Sequence, residues 1–212
     1  MTLKERALIA IDRLKKEYPD SVCCLNYGKD YELLFAVRLS AQCTDARVNM
    51  ITPALFERYP TLEAFRDADF DELCEHVRSC GFYRAKAQSI KETARILLEK
   101  FDGKVPDNMD DLLSLPGVGR KTANLILGDI YNNPGIVADT HCIRISNLLG
   151  FCKTQDPYKV ELALDKIIPK AERGDFCHRL VFHGRAVCVA RRPNCDKCCL
   201  KDVCAHYKSL QL

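Results

Sequence analysis

The 212-residue chain reads as an all-α protein. Three observations carry that reading. Apolar residues recur at helical spacing in one segment after another. Start and stop signals bracket those segments. No run alternates apolar and polar residues between turns, as a half-buried strand would. A 47% hydrophobic content supports a folded core, and neither a low-complexity segment nor a Ser/Gly linker interrupts it.

The first helix lies in MTLKERALIAIDRLKKEYPD, where Leu3, Ala7, Ile11 and Leu14 fall on one face. Charges break up that segment, so it lacks the apolar core of a signal peptide, and no later stretch is long and apolar enough to cross a bilayer. A cytoplasmic protein is expected. Ala87, Ile90, Ala94, Leu97 and Phe101 form the buried stripe of a second clear helix, stopped by Gly103 and Pro106. A short helix starts near Asp110, a longer one covers Thr122 to Tyr131, and Asp139 precedes an amphipathic helix from Thr140 to Leu149. Gly81 and Gly150 stand where C-terminal caps belong. Asp156 before Pro157 starts a helix striped by Val160, Leu164, Ile167 and Ile168, and Asp175 opens another that runs towards Cys188.

Between the helices near Asp110 and Thr122 stands Leu115-Pro116-Gly117-Val118-Gly119-Arg120-Lys121-Thr122-Ala123, a helix–hairpin–helix. Two glycines around one apolar residue permit a tight turn with positive φ. They also let backbone N–H groups at the next helix's N-terminus come close to an anion such as a DNA phosphate. Gly117, Val118, Gly119 and Arg120 are the candidate contacts. A bare G-x-G would be satisfied by an ordinary helix connection, whereas the full string is far more specific. Lys121 lies in the first turn, where the positive end of the helix dipole favours a neutral amine. That leaves two roles, a nucleophile able to form a Schiff base with a sugar aldehyde, or a phosphate clamp. Asp139 is either a helix cap alone or an ionised carboxylate that activates an amine and stabilises a sugar cation. His141 packs or orients.

Cys188, Cys195, Cys198 and Cys204, spaced C-x6-C-x2-C-x5-C, gather four thiols within seventeen residues. The intervening loops are too short for a packed core, so an iron–sulfur cluster or a structural zinc is the expected glue. Cys199, beside Cys198, is an alternative ligand at that corner. The other cysteines among the thirteen read as small buried hydrophobes of a reducing compartment. The net charge of +3 is unevenly placed: residues 184–208 hold six Lys and Arg against two Asp, the footprint of a phosphate-binding patch or of a solvated face.

Hairpin, lysine, aspartate and cysteine tetrad, in this order, resemble the endonuclease III family of DNA glycosylase/AP lyases. Glu32-Leu33-Leu34, Leu39-Ser40-Ala41-Gln42-Cys43-Thr44-Asp45, Val137-Ala138-Asp139-Thr140-His141 and His183-Gly184-Arg185 extend the match over essentially the whole chain. The resemblance implies two helical lobes flanking a DNA-binding cleft: a six-helix barrel over 22–133, and a discontinuous lobe of 1–21 and 134–212 that carries a [4Fe–4S] cluster. It also implies a nucleoid-associated monomer acting on double-stranded DNA with oxidised pyrimidines or abasic sites. Lys121 would be the Schiff-base nucleophile and Asp139 its partner. Gln42 would fill the gap left by a flipped nucleotide, Phe82 would wedge into the opposite strand, and Arg191 and Arg192 would touch phosphates. Phe82 replaces the family's usual aliphatic wedge, Asn194 removes a charge that some relatives carry, and tryptophan is absent. Lys121 argues against the adenine-mismatch glycosylases that share the scaffold. A non-catalytic DNA-binding module and an electron carrier are the competing classes.

Overall fold

Short polar side chains set the helix starts. Thr2, Thr44, Thr61, Asp69, Asn108, Asp139 and Asp156 each accept a hydrogen bond from the backbone N–H three residues on. Each cap satisfies a donor that the first helical turn leaves over and contributes about 1 kcal/mol. At Thr2 the cap is reciprocal, because the Glu5 carboxylate accepts from the Thr2 N–H at 2.8 Å.

A computed structural model describes residues 1–211, and the described residues contain helices and turns without a strand. The helices are α1 (Leu3–Glu17), α2 (Asp30–Ser40), α3 (Asp45–Arg58), α4 (Leu62–Asp67), α5 (Phe70–Val77), α6 (Tyr83–Lys100), α7 (Met109–Ser114), α8 (Arg120–Asp129), α9 (Thr140–Leu149), α10 (Pro157–Asp165), α11 (Arg173–Ala186) and α12 (Ala205–Ser209). They fall into two compact units, Cys23–Tyr131 on one hand and Met1–Val22 with Asn132–Leu212 on the other. Among the described residues, no helix is long and apolar enough to cross a membrane.

In the Cys23–Tyr131 unit, α2 is the central helix. Leu33, Leu34, Phe35, Ala36 and Leu39 are at most 1% exposed, so the middle of the helix is enclosed by its neighbours. Its Glu32 is buried as well, and its carboxylate accepts from the N–H groups of Gly28 and Lys29. Leu55, Phe65, Leu73, Ile90, Leu97 and Ile126 pack around it from the neighbouring helices. The rings of Phe35 and Phe65 meet edge to face at 4.8 Å.

In the other unit, α1 buries Ala7, Ala10, Ile11 and Leu14. Leu3, expected on that stripe, is 45% exposed because it sits in the first turn beyond the packed face. The outer edge of α1 holds the C-terminal segment by backbone carbonyls: Arg6 donates to the carbonyls of Leu149 and Val203, and Arg13 to that of Cys199 at 2.9 Å. Asp202 adds an ion pair with Arg13 at 3.2 Å. Two helix starts lie earlier than the sequence signals suggest. Helix α8 begins at Arg120 instead of Thr122, since Gly119 takes the cap position. Helix α11 begins at Arg173 instead of Asp175, because the 3-10 turn Lys170–Glu172 leads straight into it.

Candidate active site

The hairpin has one glycine that its backbone requires and one that its surroundings require. Gly117 has φ +75°, and a β-carbon there would sit 2.5 Å from the Arg38 Nε, so any other residue is both strained and clashing. Gly119 has φ −107°, ordinary extended backbone, so the positive φ of the turn falls on Gly117 alone of the two. Nothing lies within 4 Å of where its β-carbon would stand. The absent side chain there leaves open the approach to the N-terminus of α8, which no side chain caps. Arg38 braces the hairpin from below: its Nε donates to Ser89 Oγ at 3.0 Å, and that hydroxyl donates to the Pro116 carbonyl at 2.6 Å.

Lys121 occupies the second position of α8 and is exposed, as are Gly119 and Arg120, with Val118 half-buried. Its amine therefore reaches outwards from the positive end of a ten-residue helix. Two further tips of the same unit project: Gln42, exposed with φ 54°, and Phe82, 70% exposed with φ 46°.

In the other unit Asp139 is the N-cap of α9. Its Oδ1 accepts from the Cys142 N–H at 2.7 Å, and the residue is half-buried behind the buried run Ile136–Ala138. His141 packs against Gly184, whose missing side chain makes room for the imidazole.

The four thiols of the tetrad are neighbours: Cys188 lies within electrostatic reach of Cys195 and Cys204, and Cys198 of Cys188 and Cys204. Burial is the main cause that raises the Cys188, Cys195 and Cys198 thiols, with Cys198 pushed up to about 11. Three donors point at these sulfurs. Arg144 Nη1 lies 3.6 Å from Cys188 Sγ, and the Leu200 N–H and His183 Nε2 each lie 3.4 Å from Cys198 Sγ. Tyr18 Oη stands 3.2 Å from His183 Nδ1, so the tyrosine hydroxyl donating there leaves the Nε2 proton for the sulfur. Burial first, and the Arg144 charge second, bring the His183 pKa down to about 4 and keep the ring neutral. Cys199 has different neighbours, Glu17 and Arg13. Among the described residues, no three His, Cys, Asp or Glu side chains stand close enough to share a single metal ion. Arg191 and Arg192 are exposed in the loop between Cys188 and Cys195.

Residues 35–170 match the model of the HhH-GPD superfamily base excision DNA repair protein. Endonuclease III of Synechocystis sp. is 46% identical over 95% of this chain and 92% of its own length. That of Escherichia coli K12 is 37% identical over 99% of each. The chain belongs to the endonuclease III family. A solved structure of a trapped endonuclease III–DNA covalent intermediate superposes with a TM-score of 0.92 at 42% identity, covering all of both chains. A thermostable thymine-DNA glycosylase shares the fold alone, at TM-score 0.86 and 21% identity. As an endonuclease III family member the chain is a DNA glycosylase with AP lyase activity, an enzyme of base excision repair, and DNA is its partner.

Several residues of this family member's site give little sign of themselves in the sequence. Arg38, Ser89, Arg144, Tyr18 and His183 act through contacts between elements far apart along the chain. His183 belongs to a quoted motif, but its link to Cys198 depends on how α11 packs.

Proposed function

We propose that the chain excises oxidised pyrimidines, with thymine glycol and oxidised cytosines as substrates, and cuts the strand 3′ to the resulting abasic site by β-elimination. The observation that carries this reading is Lys121, exposed at the second position of α8 behind an open, glycine-lined hairpin. The hairpin amides hold a phosphate at the positive end of α8. Extruding the damaged nucleotide costs about a few kcal/mol, less for a poorly stacked lesion. Gln42 then fills the vacated space and Phe82 wedges into the opposite strand. Lys121 Nζ attacks the sugar C1′, a C–N bond forms, and the base departs with the electrons of its glycosidic bond. The Asp139 carboxylate, fixed by its cap bond to Cys142, stabilises the positive charge that develops on the sugar. The amine then loses a proton and the C1′–O4′ bond opens, with O4′ taking up a proton, which leaves a Schiff base; in it the C2′ proton becomes acidic, and its loss to a base expels the 3′ oxygen with its phosphate and breaks the strand. Water then releases Lys121.

The tetrad fits a [4Fe–4S] cluster held by Cys188, Cys195, Cys198 and Cys204. The donor set is four neighbouring thiols with N–H groups aimed at two of them, as cluster sulfurs accept. Zinc is the runner-up, since four thiolates also make a structural zinc site. When bound, the cluster supplies rigidity, holding Arg191 and Arg192 for phosphate contact. The protein works as a monomer on nucleoid DNA in the cytoplasm.

The test is a duplex carrying one thymine glycol, with released base and 3′-cleaved strand measured together. Both products are expected, and neither from the undamaged duplex; a duplex bound but left intact would return the chain to a binding module. Replacing Arg191 and Arg192 together with alanine should lower the slope of log affinity against log salt by about one to two. An unchanged slope would remove both from the interface.

A further inference from the structure

Gln42 and Phe82 hold left-handed backbone conformations, φ 54° and 46°, that residues with a β-carbon avoid and a bulky aromatic is hardly ever found in. Such tips persist only where the structure beneath over-determines them. Beneath these two lies Lys86, on the inward face of α6 and 1% exposed. Its ammonium donates to the Leu39 carbonyl at 2.8 Å and to the Cys80 carbonyl at 2.8 Å. Leu39 belongs to the last turn of α2, three residues before Gln42. Cys80 ends the 3-10 turn Arg78–Cys80, two residues before Phe82. Both carbonyls lie at the C-terminal ends of their elements, where unpaired oxygens and the negative end of the dipole favour a cation. The backbone N–H of Lys86 also donates to the Phe82 carbonyl at 3.0 Å.

A lysine is almost never wholly buried without such partners. Burial lowers its pKa from the ordinary lysine value, while the nearby Cys80 and Cys43 thiols act in the opposite sense. Those two thiols also stand close to one another, and burial first and Cys43 second push the Cys80 thiol up. One turn further along α6, Ser89 holds the Pro116 carbonyl of the hairpin. The inward face of this single 18-residue helix therefore anchors all three projecting segments of the unit.

We propose that Lys86 is a positioning residue for nucleotide extrusion, fixing the spacing between Gln42 and Phe82 so that both enter the duplex at one register. This rests on the reading of Gln42 and Phe82 as DNA-inserted side chains. Hydrophobic side chains of similar volume would fill the space, so the carbonyl clamp is what distinguishes lysine here.

The experiment is a set of single-turnover base-release rates on the thymine glycol duplex for Lys86→Met, Gln42→Ala and Phe82→Ala, with each of the latter two also combined with Lys86→Met. Binding to undamaged duplex and thermal unfolding are followed alongside. Lys86→Met keeps the unbranched volume and removes the donors. It is expected to slow base release by about 100-fold, the scale of an ångström misplacement, while binding to undamaged duplex changes less than about threefold. In the Lys86→Met background, Gln42→Ala and Phe82→Ala should each lose most of their own effect, a coupling that a purely structural role would not create. Additive effects in a folded Lys86→Met protein, or an unchanged rate, would overturn the proposal. If Gln42→Ala and Phe82→Ala are silent in the native background, it is the reading of those two residues that fails. Should Lys86→Met not fold at the assay temperature, Lys86→Gln, with a donor on a shorter stem, enters the same cycle, and additivity there overturns the proposal equally.

Discussion

Replacing Lys121 with alanine is expected to abolish the covalent protein–DNA product trapped by borohydride on a thymine glycol duplex, and to lower base release by about 10⁴-fold or more, the scale seen when a nucleophile is removed. Fold and duplex binding should survive. Lys121 is exposed at the second position of α8 and nothing packs upon it, and alanine is the better helix former there. The proposed phosphate grip of the hairpin would rest on backbone amides and on Gly117 braced by Arg38, none of which the substitution touches. Denaturing gels of trapped product, read beside duplex affinity, separate the two roles that lysine has in such a hairpin. Lost trapping with binding retained identifies the nucleophile. Parallel loss of both would make Lys121 a phosphate clamp, and trapping at native yield would move the nucleophile elsewhere.

The second large effect concerns two adjacent cysteines. Cys198→Ala should yield a protein that has lost the brown colour and the iron of the native preparation, whereas Cys199→Ala should keep both. The reason is direction. Cys198 lies near Cys188 and Cys204 and receives the Leu200 N–H and His183, while Cys199 lies towards Glu17 and Arg13 and its carbonyl takes the Arg13 guanidinium. With three ligands left, the loop that carries Arg191 and Arg192 loses its brace, so DNA affinity should fall with the iron. Iron and acid-labile sulfide analysis of both variants decides it. Full iron in Cys198→Ala would place the fourth ligand at Cys199, and a colourless native protein holding one zinc would replace the cluster altogether.

What the sequence made legible follows periodicity and punctuation. The apolar stripe of α6, the Asp139 and Asp156 caps and the Gly150 stop signal are local, and each appears in the structure where local rules put it. The hairpin string was legible too, down to Gly117, the glycine held at positive φ. Which of the two glycines serves the turn and which leaves room was not legible, because sequence does not distinguish a glycine needed for φ from one needed for space. Leu3 was misplaced because periodicity marks a face without saying how far packing extends along it. Lys86 could not be found at all. A lysine beside Ala87 in a charged, amphipathic helix reads as a solvated side chain, and only the meeting of α2, the 3-10 turn and α6 turns it inward. The same holds for the Tyr18–His183–Cys198 chain, which joins residues 165 and 15 positions apart.

The grip of α1 on the far end of the chain bears on the order in which the protein is made. Cys23–Tyr131 is continuous in sequence, so everything its core needs has left the ribosome once that stretch has emerged. Helix α1 emerges before it, yet Arg6 and Arg13 find their carbonyls only at Leu149, Cys199 and Val203. Its apolar face of Ala7, Ala10, Ile11 and Leu14 must therefore wait, unsheltered, until those distant residues have emerged. Helix α1 docks only after residues far downstream of it have been made, and the thiols at Cys188 to Cys204 are gathered only then, so the proposed cluster is loaded after Cys204 has emerged.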